Sequence, residues 1–131
     1  MTGPILLDTH ALLWFDLAPA KLSELAMQAM RDRGNRVLVS AVSALEIAIK
    51  YRLGKLPQAE VLVLDYEASL VKYGFEELPM TCSHALRVAT LASAHQDPFD
   101  RVLAAQALEL KIPLVTRDPA FTTFESLKTV W

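Results

Sequence analysis

One cysteine in 131 residues is the first scarcity in this chain. Cys82 has no internal partner, so no disulfide braces the fold, and a lone thiol suits a reducing compartment such as the cytosol. Glycine is nearly as rare, at four residues, and none falls in a G-x-G-x-x-G turn or a G-x-x-x-x-G-K-[ST] loop. Dinucleotide binding of the usual kind and P-loop phosphate chemistry are thereby excluded. No apolar run approaches the roughly 18 residues of a membrane span, and no positively charged stretch precedes the first apolar run. The expectation is a cytoplasmic chain that neither spans a membrane nor is exported. Net charge is −2 and the isoelectric point about 5.9, so no bulk basic field exists to hold nucleic acid. Any contact with a polyanion must be local. The three histidines, His10, His84 and His95, form no H-x-x-x-H pair of the zinc-binding kind.

Apolar residues, by contrast, are abundant: 53% of the chain, with a mean hydropathy of +0.27. Such a surplus suits a sheet covered on both faces, or an apolar surface kept for a partner. No repeat, biased tract or linker divides the sequence, and residues 1–131 read as one domain. Short apolar runs at Pro4–Leu7, Arg36–Val39 and Ile112–Thr116 predict buried strands. Weaker strands are expected at Phe75–Leu78 and Leu127–Trp131. Helical spacing predicts segments over Ala11–Asp16, from Leu22 to a stop at Gly34, over Ser40–Tyr51, Glu60–Tyr73 and Cys82–Ala94, and onward from Pro98. This alternation implies βαβ units and a mainly parallel sheet with helices on both faces.

Acidic residues recur where apolar runs end or helices begin: Asp8, Glu46, Asp97 with Asp100, and Asp118. Parallel strands point their carboxyl ends at one edge, so acids distant in sequence meet there. Each also has a local structural role available to it. Asp8 could cap the following helix, and Ser43-Ala44-Leu45-Glu46 matches a capping box. Asp97 precedes Pro98 as an N-cap would, Asp100 sits where a helix dipole favours an acid, and Asp118 before Pro119 suits a turn. Independent caps have no reason to share one edge of one sheet, which favours a joint role. Hard oxygen donors without cysteine suit Mg²⁺ or Mn²⁺ and metal-assisted phosphoester hydrolysis.

Other acidic-cluster enzymes fit less well. A haloacid dehalogenase-type phosphatase wants a second Asp two residues after the first, where this chain has Asp8-Thr9-His10. A phosphoacceptor receiver domain wants a lysine after a late strand, where this chain has Thr116-Arg117-Asp118. A non-catalytic α/β module that binds another protein, with its acids as caps, remains a separate reading.

The stretches Leu6–Trp14, Val39–Ile47, Lys50–Leu56, His95–Arg101 and Leu114–Asp118 together resemble the PIN domain family, and within it the VapC-like toxins of bacterial toxin-antitoxin pairs. That resemblance implies a three-layer α/β domain with a parallel sheet of about five strands and a Mg²⁺- or Mn²⁺-dependent ribonuclease site. It places Asp8, Glu46, Asp100 and Asp118 at the family's acidic positions, with Asp97 as an additional acid and metal ligand. Thr9 and Thr116 match hydroxyl positions beside the site. The implied partners are an RNA substrate, a cognate antitoxin and a second copy of the chain, with Lys50, Arg52, Lys55 and Arg101 as candidate phosphate contacts. RNA processing or DNA cleavage on the same fold is the alternative activity.

Overall fold

The computed structural model describes residues 3–131. Five strands form one sheet: β1 (Gly3–Leu7), β2 (Asn35–Ser40), β3 (Glu76–Leu78), β4 (Leu114–Val115) and β5 (Thr129–Val130). Their order is β3-β2-β1-β4-β5 and every pairing is parallel. Seven helices accompany them: α1 (Thr9–Leu17), α2 (Glu24–Arg31), α3 (Ala41–Arg52), α4 (Glu60–Leu64), α5 (Tyr66–Tyr73), α6 (Cys82–Arg87) and α7 (Pro98–Leu110). No helix among the described residues is long and apolar enough to cross a membrane.

Successive strand side chains point to opposite faces, and both faces are apolar. Ile5 and Leu7 of β1, with Val37 and Val39 of β2, pack against Leu12 of α1, Ala26 and Met30 of α2, Leu62 of α4 and Leu70 of α5. Leu6, Leu38 and Leu114 point the other way, onto Leu103, Ala104 and Ala107 of α7 and onto Phe121 and Phe124. Two cores separated by a buried sheet make the three layers the composition demands.

Several boundaries differ from expectation, each for a local reason. Helix α2 ends at Asp32 rather than at Gly34: the Asp32 N–H donates to Gln28, and the Asp32 carboxylate accepts from Gly34 N–H in a tight turn. The expected helix over Glu60–Tyr73 is broken at Asp65, whose N–H closes α4 on Val61 while its carbonyl opens α5 by accepting from Ser69. Aspartate is a poor residue for a helix interior. Gly74 does terminate α5, at φ +75, a left-handed conformation that a side chain would resist.

The largest departure is at Cys82–Ala94, where α6 stops at Arg87 and a 3-10 turn gives way to an irregular segment. Arg101 explains it. Its guanidinium donates to the carbonyls of Val88, Leu91, Ser93 and His95 at 2.8–2.9 Å. Carbonyls claimed by an arginine from α7 are not available to a helical ladder, and the loop they form carries the chain into Asp97. Strand β4 is likewise shorter than Ile112–Thr116, because Ile112 instead closes the end of α7 by donating to Ala107.

Candidate active site

Parallel register builds the site's first row. Leu7 stands opposite Val39 on one side and Val115 on the other, so the next residues, Asp8, Ser40 and Thr116, lie along the same edge. Asp8 is 4% exposed, and its Oδ1 accepts from Ala11 N–H at 2.7 Å, capping α1. Its Oδ2 accepts from the Thr116 hydroxyl at 2.5 Å. Despite these bonds, burial pushes the Asp8 carboxyl up to about 6, with the charge of Asp100 adding to the rise. Capping and a perturbed carboxylate therefore coexist in one residue.

Glu46 has no capping role. Ser40 caps α3 by accepting from Val42 N–H, while the Ser43 hydroxyl accepts from Thr9 at 3.0 Å and ties α1 to α3. The S-x-x-E match is thus incidental. Glu46 is buried at 4% exposure; its Oε2 meets Lys50 Nζ at 2.6 Å, and its Oε1 is buried with no hydrogen-bond partner. An orphaned carboxylate oxygen aimed into a protein interior is costly unless something else meets it.

Asp100 occupies the third position of α7, and its N–H donates to Oδ1 of Asp97, the N-cap, at 3.0 Å. One Asp100 oxygen lies 2.8 Å from His95 Nε2, in a ring that packs edge-on to Phe121 and Phe124. Burial raises the Asp100 carboxyl above its usual range, as do the neighbouring charges of Asp97 and Glu46, against the lowering effect of His95. Asp8, Glu46, Asp97 and Asp100 are therefore near enough to feel one another through Asp100.

Asp118 stands apart from that group. It is exposed, caps the 3-10 turn at Pro119–Thr123 by accepting from Ala120 N–H, and donates its own N–H to Thr116 Oγ1 at 3.1 Å. Along the rim it shares a groove of about 300 Å³ with Asp8, His10, Trp14, Arg117 and Pro119. Thr116, bonded to both Asp8 and Asp118, is the link between the two acids.

The basic residues also separate. Lys50 is the ion-pair partner of Glu46. Arg101 commits both terminal nitrogens to backbone carbonyls and acts on the shape of the loop before Asp97. Arg52, in the last turn of α3, and Lys55, just past it, are exposed and make no side-chain hydrogen bond among the described residues. Sequence reasoning missed His95 as the partner of Asp100. It missed Lys50 as a partner too, although Glu46 and Lys50 have the i, i+4 spacing of a helical ion pair.

In kind, the donors fit a hard cation: all are carboxylate oxygens, two of the carboxyls are raised by burial and like charge, and Glu46 Oε1 is unpartnered. Among the described residues no three such side chains are gathered into a ready coordination shell. Protein groups hold them instead, with Thr116 on Asp8, Lys50 on Glu46 and His95 on Asp100.

A parallel three-layer α/β domain that collects buried, mutually repelling carboxylates at the carboxyl ends of its strands is the class defined here. The PIN domain model matches residues 5–126, and the chain belongs to that family. It is 30% identical over 130 residues to Ribonuclease VapC22 of Mycobacterium tuberculosis, covering 97% of this chain and 98% of that one. Its fold is similar to the structure of VapBC2 from Rickettsia felis bound to a promoter DNA fragment, with a TM-score of 0.70 at 14% identity over 96% of each chain. FitAcB from Neisseria gonorrhoeae is similar with a TM-score of 0.63 at 23% identity over 95% of each.

Proposed function

We propose that this protein is a metal-dependent endoribonuclease and the toxin of a type II toxin-antitoxin pair. The observation that carries this reading is the pair of buried acids Asp8 and Glu46, each coupled in charge to the half-buried Asp100, with Glu46 Oε1 unsatisfied. The ribonuclease similar to it across nearly its whole length supports the same reaction class. Asp8, Asp100 and Asp118 would hold the ion, with Asp97 as an outer contributor and Glu46 as the carboxylate that orients water. When bound, Mg²⁺ or Mn²⁺ acidifies a water molecule and offsets charge developing on the phosphodiester. Thr116 fixes the orientation of Asp8, and Thr9, through Ser43, fixes the helix that carries Glu46.

An antitoxin partner is supported by surface as well as by kinship. Leu45 and Ile49 of α3 and Leu53 at its C-cap share helical spacing and are exposed, as are Val61 and Leu64 of α4. We assign this face to the antitoxin, and other exposed apolar residues such as Val71 to the pairing of two copies, testable by sedimentation. Substrate phosphates would meet the free cations Arg52 and Lys55.

The experiment is cleavage of RNA by the purified chain. Wild type should cut in Mg²⁺ or Mn²⁺ and stop in EDTA, and Asp8→Asn should remain folded and inactive. Undiminished cleavage by Asp8→Asn would remove the site assignment.

A further inference from the structure

The groove beside Asp8 is not explained by the carboxylates, because most of its wall is not acidic. Trp14 and His10 line it together with Arg117, Pro119 and the two acids, around about 300 Å³. The two rings stand 5.5 Å apart at an interplanar angle of 39°, and Trp14 is steadied from behind by Trp131, edge-on at 5.7 Å. Lys21 places its ammonium 6.0 Å from the Trp14 ring centre. Burying Trp14 fully would have been the simpler use of a tryptophan, yet it remains part-exposed next to an exposed histidine. Arg117 is exposed and makes no salt bridge among the described residues.

We infer that this groove is a nucleobase subsite, in which one unpaired base of the RNA stacks on Trp14 and His10 while Arg117 meets an adjacent phosphate. The inference deepens the nuclease reading and rests on it. Single-stranded RNA is recognised by stacking on Trp, His and Arg planes, and a shallow open slot with aromatic and guanidinium walls offers all three. Asp8 belongs both to the groove and to the carboxylate cluster, so a base held here has its own backbone at the cluster. Asp118, one of whose oxygens caps Ala120, stands at the same rim beside Asp8. An acid there repels a bare phosphate, which places the phosphate on the Arg117 side of the slot.

The test uses the whole chain in EDTA, where no cleavage occurs. A mixed-sequence, non-pairing RNA dodecamer and an abasic ribose-phosphate chain of the same length are titrated against tryptophan fluorescence and anisotropy. The base-bearing chain should quench Trp14 and bind on the order of 5- to 100-fold more tightly than the abasic one. Trp14→Leu and His10→Ala should each erase most of that difference, and Trp14→Phe should restore part of it. His10→Ala, at an exposed position, keeps the test decisive if Trp14→Leu does not fold. Equal binding of the two chains overturns the proposal, as does failure of both to bind. A Trp14 signal that responds to a basic peptide and not to RNA overturns it too, and would assign the groove to a protein partner. Cleavage in Mn²⁺ separates the two claims. Unchanged cleavage rate and pattern in His10→Ala and Trp14→Leu would remove the subsite and leave the nuclease, whereas base-dependent quenching without any cleavage would remove the nuclease and leave the subsite.

Discussion

Asp8 holds its proton unusually tightly, and the sign of the consequence is definite. Burial pushes its carboxyl up to about 6 in the folded chain, against 3.8 for an ordinary aspartate, so the folded state binds the proton more strongly than the unfolded one. The corresponding stability is fully present below about pH 4 and is lost as pH rises toward 6, by about 3 kcal/mol in total. Urea unfolding in EDTA across that range should therefore show wild type losing stability relative to Asp8→Asn, which at pH 7 should be at least as stable as wild type. Parallel curves for the two proteins would mean that the Asp8 charge is already compensated. Asp8 was the most legible residue of the site, because a post-strand acid is visible in one dimension. Glu46 was the least, since the signal that marked it, a capping box with Ser43, is one the fold does not use. Burial, not spacing, distinguishes Glu46, and burial is set by tertiary packing that no local pattern encodes.

Elements were legible wherever packing and propensity agreed. Strands β1, β2 and β4, buried on both faces, read as apolar runs, and α7 announced itself through Asp97, Pro98 and Asp100. The failures lie where one distant side chain overrides local preference. The segment after Arg87 has the composition of a helix, yet Arg101 captures four of its carbonyls and holds it open. Arg101→Lys should show how much depends on that fork, because an ammonium cannot span four acceptors in fixed directions. The expected loss is about 2 kcal/mol in urea unfolding, with faster amide exchange across residues 88–97 and little change in α2. If exchange there is unaltered, the loop is shaped by something other than Arg101. Because the loop leads into Asp97 and contains His95, the same variant should cut RNA more slowly through misplacement of Asp100.

Over the whole molecule, the sheet concentrates unfavourable charge at one edge and apolar area on another surface. The three-layer architecture and the parallel sheet follow from the βαβ pattern, and both were accessible from sequence; the strand order was not read there. Nor was how each acid is held: Asp118 meets Asp8 across Thr116 and a shared groove, while Glu46, for which a capping box offered a rival role, lies beside Asp100. A site whose carboxylates are desolvated and face one another should be stabilised by a divalent cation through linkage, and only while those carboxylates are intact. Thermal unfolding at pH 7 in increasing Mn²⁺ measures this most directly. The wild-type midpoint should rise with the ion, while Asp8→Asn and Asp100→Asn should begin at or above the wild-type value in EDTA and move little. Equal shifts in all three proteins, or none in wild type, would contradict a cation site built from these buried carboxylates.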